Sequence, residues 1–319
     1  MPWRSLRIGM KKTTLCTLFE GHYHYGVAAL ANSLVVNGYE GELWVGYRGQ
    51  LADWITGHGN YDAATGHLQF SEKFSLRFVL LDTPLFFTYY KAAFMRQVMD
   101  KYAPQADVVA YIDPDIVVKC PWVDMAPWFE DGIALAEDVN WNFPARHPKR
   151  MMWRSWFAPH GVVQRRDLDR YYNAGFFGVP REHADFLTLL SWMCDLVADY
   201  NAGLKHIKSG NAPDLFHSTD QDALNFALTV HEAQLNTVGA EAMDFVAGGY
   251  YMSHAIGWPK PWVRNHVHAA LEGRPPSNAT KAYYTFANHP LRPYAPWRFA
   301  LRRVNLQIAS VIGRFYRKA

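Results

Sequence analysis

Two aspartates stand two residues apart at the end of a strongly apolar segment. Asp113 and Asp115 follow Val108–Ile112, and Pro114 lies between them. The apolar segment predicts a strand buried on both faces, and the alternation of an extended chain directs both carboxylates to one side. Two such carboxylates can hold Mg²⁺ or Mn²⁺, which can bridge a diphosphate. A solvated turn is the competing interpretation, because Asp-Pro-Asp is ordinary turn chemistry.

A second segment, residues 254–262, combines a histidine, a glycine and a lysine between prolines and tryptophans. A neutral His254 imidazole is a suitable third ligand for Mn²⁺. Gly257 permits a close approach of the backbone, and Lys260 supplies a point charge for a phosphate. The alternative is that His254 is one of 14 histidines and lies beside a proline-rich surface loop.

A run of small residues begins at Asn173 and predicts a turn that enters an apolar strand. Gly175 and Gly178 would allow a ligand or another backbone to come close. A β-bulge or a tight packing corner explains the same glycines.

Residues 218–225 have the pattern of a helix start. Ser218 or Thr219 can cap the helix, and Asp220 and Asp222 complement the dipole of its first turn. These effects leave Gln221 unexplained, and its amide can hydrogen-bond a sugar hydroxyl.

Strands and helices alternate along the chain and must position these residues. Apolar runs predict strands at 14–19, 42–47, 108–112 and 133–136, and helical periodicity predicts helices at 27–36, 86–102, 184–200 and 221–231. A strand, a helix and a strand at this spacing form a βαβ unit, for which a parallel sheet is expected. Ligands bind at the carboxyl ends of such strands. Residues 141–157 predict a long irregular loop, and residues 257–296 show no clear periodicity.

Composition narrows the class of protein. The chain has 319 residues, of which 50% are apolar and 19% are charged, so most of it can bury a core. A net charge of +3 argues against a protein that coats nucleic acid through bulk charge. Three scattered cysteines do not suggest a disulfide framework or a cysteine-rich zinc site. We find neither a secretory signal nor a membrane-spanning stretch, so we expect a cytoplasmic protein, either soluble or lying on a membrane.

The last segment predicts an amphipathic helix over about residues 297–317. Its basic residues crowd around one apolar stripe, which consists of Trp297, Leu301, Val304, Ile308, Val311, Ile312 and Phe315. Such a helix can lie on an anionic leaflet. A helix docked on the domain with its charges solvated is the alternative.

In this order, the segments resemble glycosyltransferase family eight, and the chain is similar to bacterial lipopolysaccharide glycosyltransferases. The family pattern has an N-terminal nucleotide-binding strand, a DxD, an NAG turn, a DQDxLN segment and an HxxGxxKPW segment. The matching residues are 14–25, 113–115, 173–175, 220–225 and 254–262. The resemblance covers residues 13–265 as the catalytic domain and leaves 266–319 as a C-terminal extension. Pro114 inside the DxD and residues 20–24 after the first strand depart from the pattern.

The resemblance implies a role for each matching residue. The implied metal ligands are Asp113, Asp115 and His254, and the implied diphosphate contacts are Gly257 and Lys260. The implied donor-sugar contacts are Asp138, Asn173 and Asp220, with Gln221 on the reacting side of the anomeric carbon. The resemblance also implies that Tyr23 stacks on uracil and that Lys91 is the basic residue which the family carries before the DxD.

The resemblance also implies a fold and an activity. The fold would be α/β of the GT-A type, with a Rossmann-like, mostly parallel central sheet flanked by helices. The activity would be the transfer of a hexose, glucose or galactose, from a UDP-sugar to a glycan or glycolipid with retention of configuration. Mn²⁺ or Mg²⁺ would be the cofactor. The enzyme would act in lipopolysaccharide or polysaccharide biosynthesis at the inner face of the cell membrane, without a nucleic-acid partner.

Two other functions stay open at this stage. A DxD after an apolar strand also occurs in phosphohydrolases of the haloacid-dehalogenase type, in which Asp113 would be the nucleophile. A glycan-binding protein that kept the GT-A fold and lost its activity is the other.

Overall fold

A computed structural model of the chain describes residues 10–139, 142–201 and 214–316. Its contacts divide the chain into two units whose segments alternate along the sequence. The first unit is Met1–Leu18, Leu81–Ile112 and Val123–Ala240, and the second is Phe19–Leu80, Asp113–Trp122 and Glu241–Ala319. The predicted domain of residues 13–265 includes parts of both units, and its boundary stays a prediction.

The described strands are β1 (Thr13–Glu20), β2 (Gly41–Arg48), β3 (Tyr61–Asp62), β4 (His67–Ser71), β5 (Phe74–Leu80), β6 (Val108–Ile112), β7 (Ile116–Val118), β8 (Ile133–Glu137), β9 (Tyr172–Pro180), β10 (Leu235–Val238) and β11 (Met252–His254). The described helices are α1 (His24–Val36), α2 (Asp53–Thr56), α3 (Phe87–Gln97), α4 (Trp122–Met125), α5 (Pro148–Phe157), α6 (Ala184–Tyr200), α7 (Thr219–Val230), α8 (His266–Leu271), α9 (Asn278–Phe286) and α10 (Pro296–Phe315). The predicted strands at 14–19, 42–47, 108–112 and 133–136 are confirmed, as are the helices at 27–36, 184–200 and 221–231. The helix predicted at 86–102 is α3, which continues into a π-helical turn at Val98–Tyr102.

The first unit has strands in the order β10-β8-β9-β6-β1. β6 runs parallel to β1 and β8 runs parallel to β10, whereas β9 is antiparallel to both β6 and β8. Among its described strands, all except β9 therefore point in one direction. Every residue of β6 and β9 is buried, as the apolar run of β6 predicted. Helices α6 and α7 pack against β9, and α3 packs against α6.

The second unit has strands in the order β2-β5-β4-β3 and a separate pair formed by β7 and β11. β2 and β5 are parallel, and the short β4 and β3 continue from β5 in antiparallel pairs. Helix α1 packs against β7 and α9, and α8 packs against α10. The α/β architecture with strands mostly in one direction and flanking helices is therefore as predicted.

The loop predicted at 141–157 is wrong over most of its length, because α5 occupies Pro148–Phe157. The His147 ring accepts a hydrogen bond from the backbone N–H of Lys149 at 3.1 Å, and Pro148 takes the first helical position. The buried residues Arg150, Trp153 and Phe157 follow the helical period. The proline- and aromatic-rich composition hid this period, and Trp141 lies outside the described residues.

The segment without periodicity, 257–296, also contains helical structure. α8 and α9 are short, and each begins at a side-chain cap. Asn265 accepts from the N–H of His268 at 3.2 Å, and Ser277 accepts from the N–H of Thr280 at 3.1 Å. Helices of six and nine residues are too short to give a clear hydrophobic period.

Within the part of the chain that the structure describes, no helix is both long and apolar enough to cross a bilayer.

Candidate functional site

The two aspartates of the DxD lie on a tight turn between β6 and β7. The N–H of Ile116 donates to the carbonyl of Asp113 at 3.0 Å and closes this turn. β7 then pairs antiparallel with β11, which places His254 opposite Ile116. The N–H of Ala255 donates to the carbonyl of Asp115 at 3.0 Å. Strand pairing thus brings His254 beside two aspartates that are far from it in the sequence.

Helix α1 packs against the DxD turn and against β7. A Cβ on Gly26 would lie 2.2 Å from the carbonyl oxygen of Pro114 and 2.9 Å from the Trp262 ring, so only glycine allows this approach. At the other end of β7, the hydroxyl of Ser33 accepts from the N–H of Val118 at 3.0 Å. The helix therefore fixes both the turn and the strand that follows it.

Asp113, Asp115 and His254 form a group with one ligand atom from each residue, all within 4.8 Å of one another. Nε2 of His254 lies 3.3 Å from Oδ1 of Asp115 and 4.0 Å from Oδ2 of Asp113. Asp115 and His254 are buried, and the side chain of Asp113 is 22% exposed. The site therefore has two anchored ligands and one that reaches solvent.

The residues fit a divalent ion. Neighbouring ligands of an octahedral ion with bonds of about 2.1 Å are roughly 3 Å apart, so the measured separations need only a small contraction. Two carboxylate oxygens with one imidazole nitrogen suit Mn²⁺ and tolerate Mg²⁺.

Lys260 completes the charge of this group. Its Nζ donates to Oδ2 of Asp115 and, at 3.0 Å, to the carbonyl of Ala255. Burial disfavours the charged form of Asp115, but the interactions of its carboxylate with Lys260 and His254, hydrogen bonds included, together outweigh burial and hold the pKa of Asp115 well below its usual range. Burial likewise opposes the charge of Lys260, but Asp115, Tyr23 and Asp113 together outweigh burial and raise the pKa of Lys260. Both side chains are therefore charged at neutral pH.

Gly257 adopts φ +79°, which lies in the left-handed region. A Cβ there would meet no atom of the described residues within 4 Å. The left-handed backbone conformation by itself accounts for a glycine at this position, and the contact of Gly257 with a diphosphate stays a prediction.

Tyr23 belongs to the same group. Its ring stacks on His22 at 5.3 Å and meets the edge of Trp262 at 5.3 Å. Burial raises the pKa of Tyr23, Lys260 lowers it, and Asp115 and Asp113 raise it, so its hydroxyl lies in the field of the charged side chains. The stacking of Tyr23 on uracil stays a prediction.

The other five predicted residues form a cluster within the first unit. Nζ of Lys91 pairs with Oδ2 of Asp220 at 3.0 Å, and both side chains are nearly buried. Lys91 also donates to the carbonyl of Ala174 at 3.0 Å. Lys91 therefore orients Asp220 and the backbone of β9.

Asp138 is the acceptor at the centre of this cluster. Its Oδ2 accepts from Nδ2 of Asn173 at 2.6 Å and from Nε2 of Gln221 at 3.3 Å. Oε1 of Gln221 accepts from the N–H of Ala174 at 3.1 Å. Both ends of the Gln221 amide are thus held in place.

Asn173 and its neighbours are part of β9, so the turn predicted there is wrong. A Cβ on Gly178 would lie 2.8 Å from the Phe129 ring, and this confirms a packing corner at that glycine. Pairing with β8 and β6 overrides the local preference of these small residues for a turn.

Two positioning residues had no role in the sequence analysis. Asn225 accepts from the N–H of Tyr172 at 2.8 Å and donates to the carbonyl of Tyr172 at 2.7 Å. It also donates to the carbonyl of Gln221 at 2.8 Å, so it fastens α7 to β9. Arg150 donates to the carbonyls of Phe143 and of Arg170, both at 2.6 Å. The DQDxLN pattern contains Asn225, but no sequence signal singled out Arg150.

Asp222 has a different role from the one its position suggested. It is buried, accepts from the hydroxyl of Tyr171, and accepts from the N–H of Ser218 at 3.0 Å. Burial raises its pKa to about 7. Ser218 occupies the N-cap position, but its side chain makes no capping hydrogen bond, so that part of the prediction is wrong.

Comparison with known proteins identifies the fold. No protein-family model matches the chain, and no curated protein sequence matches it. A solved structure that matches is the apo form of WbbM, a bifunctional glycosyltransferase, with a TM-score of 0.53 and 13% sequence identity. The match covers 94% of this chain and 52% of the WbbM chain. This chain has a glycosyltransferase fold.

The glycosyltransferase fold agrees with the predicted α/β class, and this chain spans about half the length of the WbbM chain. Membership of family eight stays a prediction, because the likeness extends to the fold and not to that family. Within this fold, Asp113, Asp115 and His254 form a possible divalent-metal site.

Proposed function

We propose that this protein is a metal-dependent glycosyltransferase. It moves a hexose, glucose or galactose, from a UDP-sugar to a glycan or glycolipid acceptor with retention of configuration. The observation that carries the proposal is the grouping of Asp113, Asp115 and His254, with Lys260 bonded to one of them, in a chain with a glycosyltransferase fold.

The donor diphosphate is proposed to bind at this group. When bound, a divalent ion supplies electrophilic stabilisation of the charge that develops on the departing diphosphate. Oδ1 of Asp115 faces His254 while Oδ2 is held by Lys260, so this carboxylate is oriented before any ligand arrives. The buried ammonium of Lys260 is a preorganised positive charge in a site from which water is largely excluded.

The sugar is proposed to be recognised by the polar cluster of the first unit. Asp138, Asn173 and Gln221 present hydroxyl-binding groups whose orientation is fixed by mutual hydrogen bonds. Asp220 is held by Lys91 in the same way. These interactions support recognition of a single hexose orientation.

We propose that the acceptor attacks from the face that the diphosphate leaves. The amide of Gln221 is a poor nucleophile, and a covalent intermediate is not required. The bond from the anomeric carbon to the acceptor oxygen forms as the bond to the phosphate oxygen breaks. The acceptor proton passes to that phosphate oxygen. Isolation of a glycosyl-enzyme on an Asp or Glu would refute this route.

Calorimetric titration with UDP tests the donor site. We expect binding in Mn²⁺, at least tenfold weaker binding in EDTA, and the same weakening in Asp115→Asn even with Mn²⁺. Asp82→Asn is the matched control, because Asp82 is an exposed acid outside the metal group, and it should bind like the wild type.

Two results would overturn the proposal. Equal UDP affinity in Mn²⁺ and in EDTA would show that Asp113, Asp115 and His254 do not bind the donor through a metal ion. An acid-labile phosphoaspartate on Asp113, without UDP binding, would favour the phosphohydrolase. Turnover of UDP-glucose and UDP-galactose, compared between wild type and Gln221→Ala, then identifies the sugar.

A further inference from the structure

Helix α10 packs on the second unit through one face. Phe299 and Leu306 pack against the aromatic cluster around Tyr284 and Tyr294, and Ala309 is fully buried. The guanidinium of Arg302 lies 5.5 Å from the centre of the Tyr294 ring. This face fixes the rotation of the helix about its axis.

The opposite face of α10 carries an exposed apolar stripe. Its members recur every three or four residues, so they share one side of the helix. Their exposed fractions lie between 48 and 86%, and they are Trp297, Leu301, Val304, Ile308, Val311 and Phe315. A contiguous surface of this kind marks an interaction site.

The charged residues of α10 have one sign, and three of them border this stripe. The helix contains four arginines and no aspartate or glutamate. At 100° per residue, Arg303 and Arg314 fall on one border of the stripe and Arg298 on the other. An apolar face between basic borders complements a surface that is apolar inside and anionic outside.

A cavity of about 430 Å³ opens beside the border of the stripe that contains Arg303. Arg303 and Gln307 of α10 line it together with Lys281 and His289. Among the described lining residues there is no acid. The cavity therefore offers a cationic recess of a size that admits a phosphate headgroup.

We propose that this face of α10 lies on a bilayer that contains anionic phospholipids. The apolar stripe enters the boundary between headgroups and acyl chains, and the bordering arginines remain at the headgroups. Lys281 and Arg303 bind a headgroup phosphate in the cavity. The inference rests on α10 and its surroundings and does not require the proposed transferase activity.

A second copy of the chain is a weaker candidate for the occupant. The spacing of the stripe also suits a coiled coil. Pairing of two stripes would, however, set the arginines of one copy against those of the other, and α10 has no acid to compensate. An anionic bilayer satisfies the same arginines.

Flotation of the full chain with vesicles tests the proposal. We expect binding to phosphatidylcholine vesicles that contain phosphatidylglycerol, and much weaker binding to phosphatidylcholine alone. Leu301→Asp with Ile308→Asp should weaken binding at least tenfold, because acids would enter the headgroup boundary. Leu80→Asp is the matched control, because Leu80 is 64% exposed and Leu301 62%, and it should bind like the wild type.

A second pair of variants tests the cationic recess. Arg303→Gln and Lys281→Gln should each weaken binding to anionic vesicles about fivefold, the effect of one basic residue near a charged leaflet. Neither change should alter binding to phosphatidylcholine alone.

Three results would overturn the inference. Equal vesicle binding by the wild type and the Leu301/Ile308 variant would show that the apolar stripe does not contribute to membrane binding. Equal binding to neutral and anionic vesicles would show that the bordering arginines and the cationic recess do not contribute to membrane binding. A dimer in light scattering that Leu301→Asp dissociates, without vesicle binding by the wild type, would assign the stripe to a second copy. UDP titration of the same variants shows separately whether the donor site is intact.

Discussion

Replacement of Lys260 by methionine tests the electrostatic reasoning about the metal group. Lys260→Met keeps most of the side-chain volume and removes the ammonium group that donates a hydrogen bond to Asp115. Asp115 would remain buried with its carboxylate facing His254 alone. We therefore expect a substantial loss of stability in metal-free buffer.

The size of the loss follows from the burial of both partners. Removal of one partner from a buried ion pair costs about 3–5 kcal/mol, because the other charge stays buried and uncompensated. An unfolding entropy of about 2.1 cal/mol/K per residue gives about 0.7 kcal/mol/K for the 319 residues. The expected decrease in Tm is therefore about 4–8 °C.

Differential scanning calorimetry in EDTA measures this decrease. The control is Lys73→Met, which breaks an ion pair with Glu40 at 2.7 Å whose two side chains are both more than half exposed. An exposed pair contributes about 1 kcal/mol or less, so Lys73→Met should lower Tm by less than about 2 °C.

A double variant separates the lost charge from lost packing. Lys260→Met with Asp115→Leu removes both charges and should recover part of the Tm, because no unpaired carboxylate remains. A decrease in Lys260→Met no larger than in Lys73→Met would refute the reasoning. So would a double variant less stable than Lys260→Met alone, since the loss would then come from packing.

Two further predictions concern the supports of the site. Gly26→Ala should lower the free energy of unfolding by about 1–3 kcal/mol and weaken UDP binding in Mn²⁺, because its Cβ would displace the carbonyl of Pro114. The control is Gly59→Ala, which has open space around the new Cβ. Equal melting temperatures and equal UDP affinities of the two variants would contradict the prediction. As the pH rises from about 5 to 7, the wild type should lose up to about 2 kcal/mol more of its free energy of unfolding than Asp222→Asn loses. The reason is that the pKa of Asp222 is 3.8 in the unfolded state and about 7 in the folded state, so the folded state keeps the proton over this range and stability falls as the proton is released. Urea titrations at both pH values measure this difference, and parallel pH profiles of the two proteins would contradict it.

Local composition was sufficient for the long elements of this fold. The apolar run of β6 predicted burial on both faces, and the periodicity of α6 predicted its bounds as they are observed. Both signals depend on how often apolar side chains recur along a short stretch, so no knowledge of the partners was needed. α5 was not predicted because one of the three buried positions that give its period is Arg150. A buried arginine requires hydrogen-bond partners such as the carbonyl of Phe143, and a hydrophobic pattern does not reveal them.

The types and order of the site residues were also available in the sequence. Asp113, Asp115, His254 and Lys260 were named from ligand chemistry and from the resemblance of the surrounding motifs to a known family. Their grouping was implied only by that resemblance, because composition and local period do not show the pairing of β7 with β11 on which it depends. Strands of three residues each are too short to carry a periodic signal, and their register is a long-range contact.

The sequence by itself determined which side chains can bind a cation or a diphosphate and which stretches must be buried, because these are properties of residue type and local period. Only the tertiary structure decided that Lys260 is bonded to Asp115, that Asp222 is buried beside Tyr171, and that α10 docks through Phe299 and leaves its apolar stripe exposed. An amphipathic period shows that a helix has two faces. Which face packs depends on the complementary surface, and here the aromatic cluster of the second unit supplies that surface.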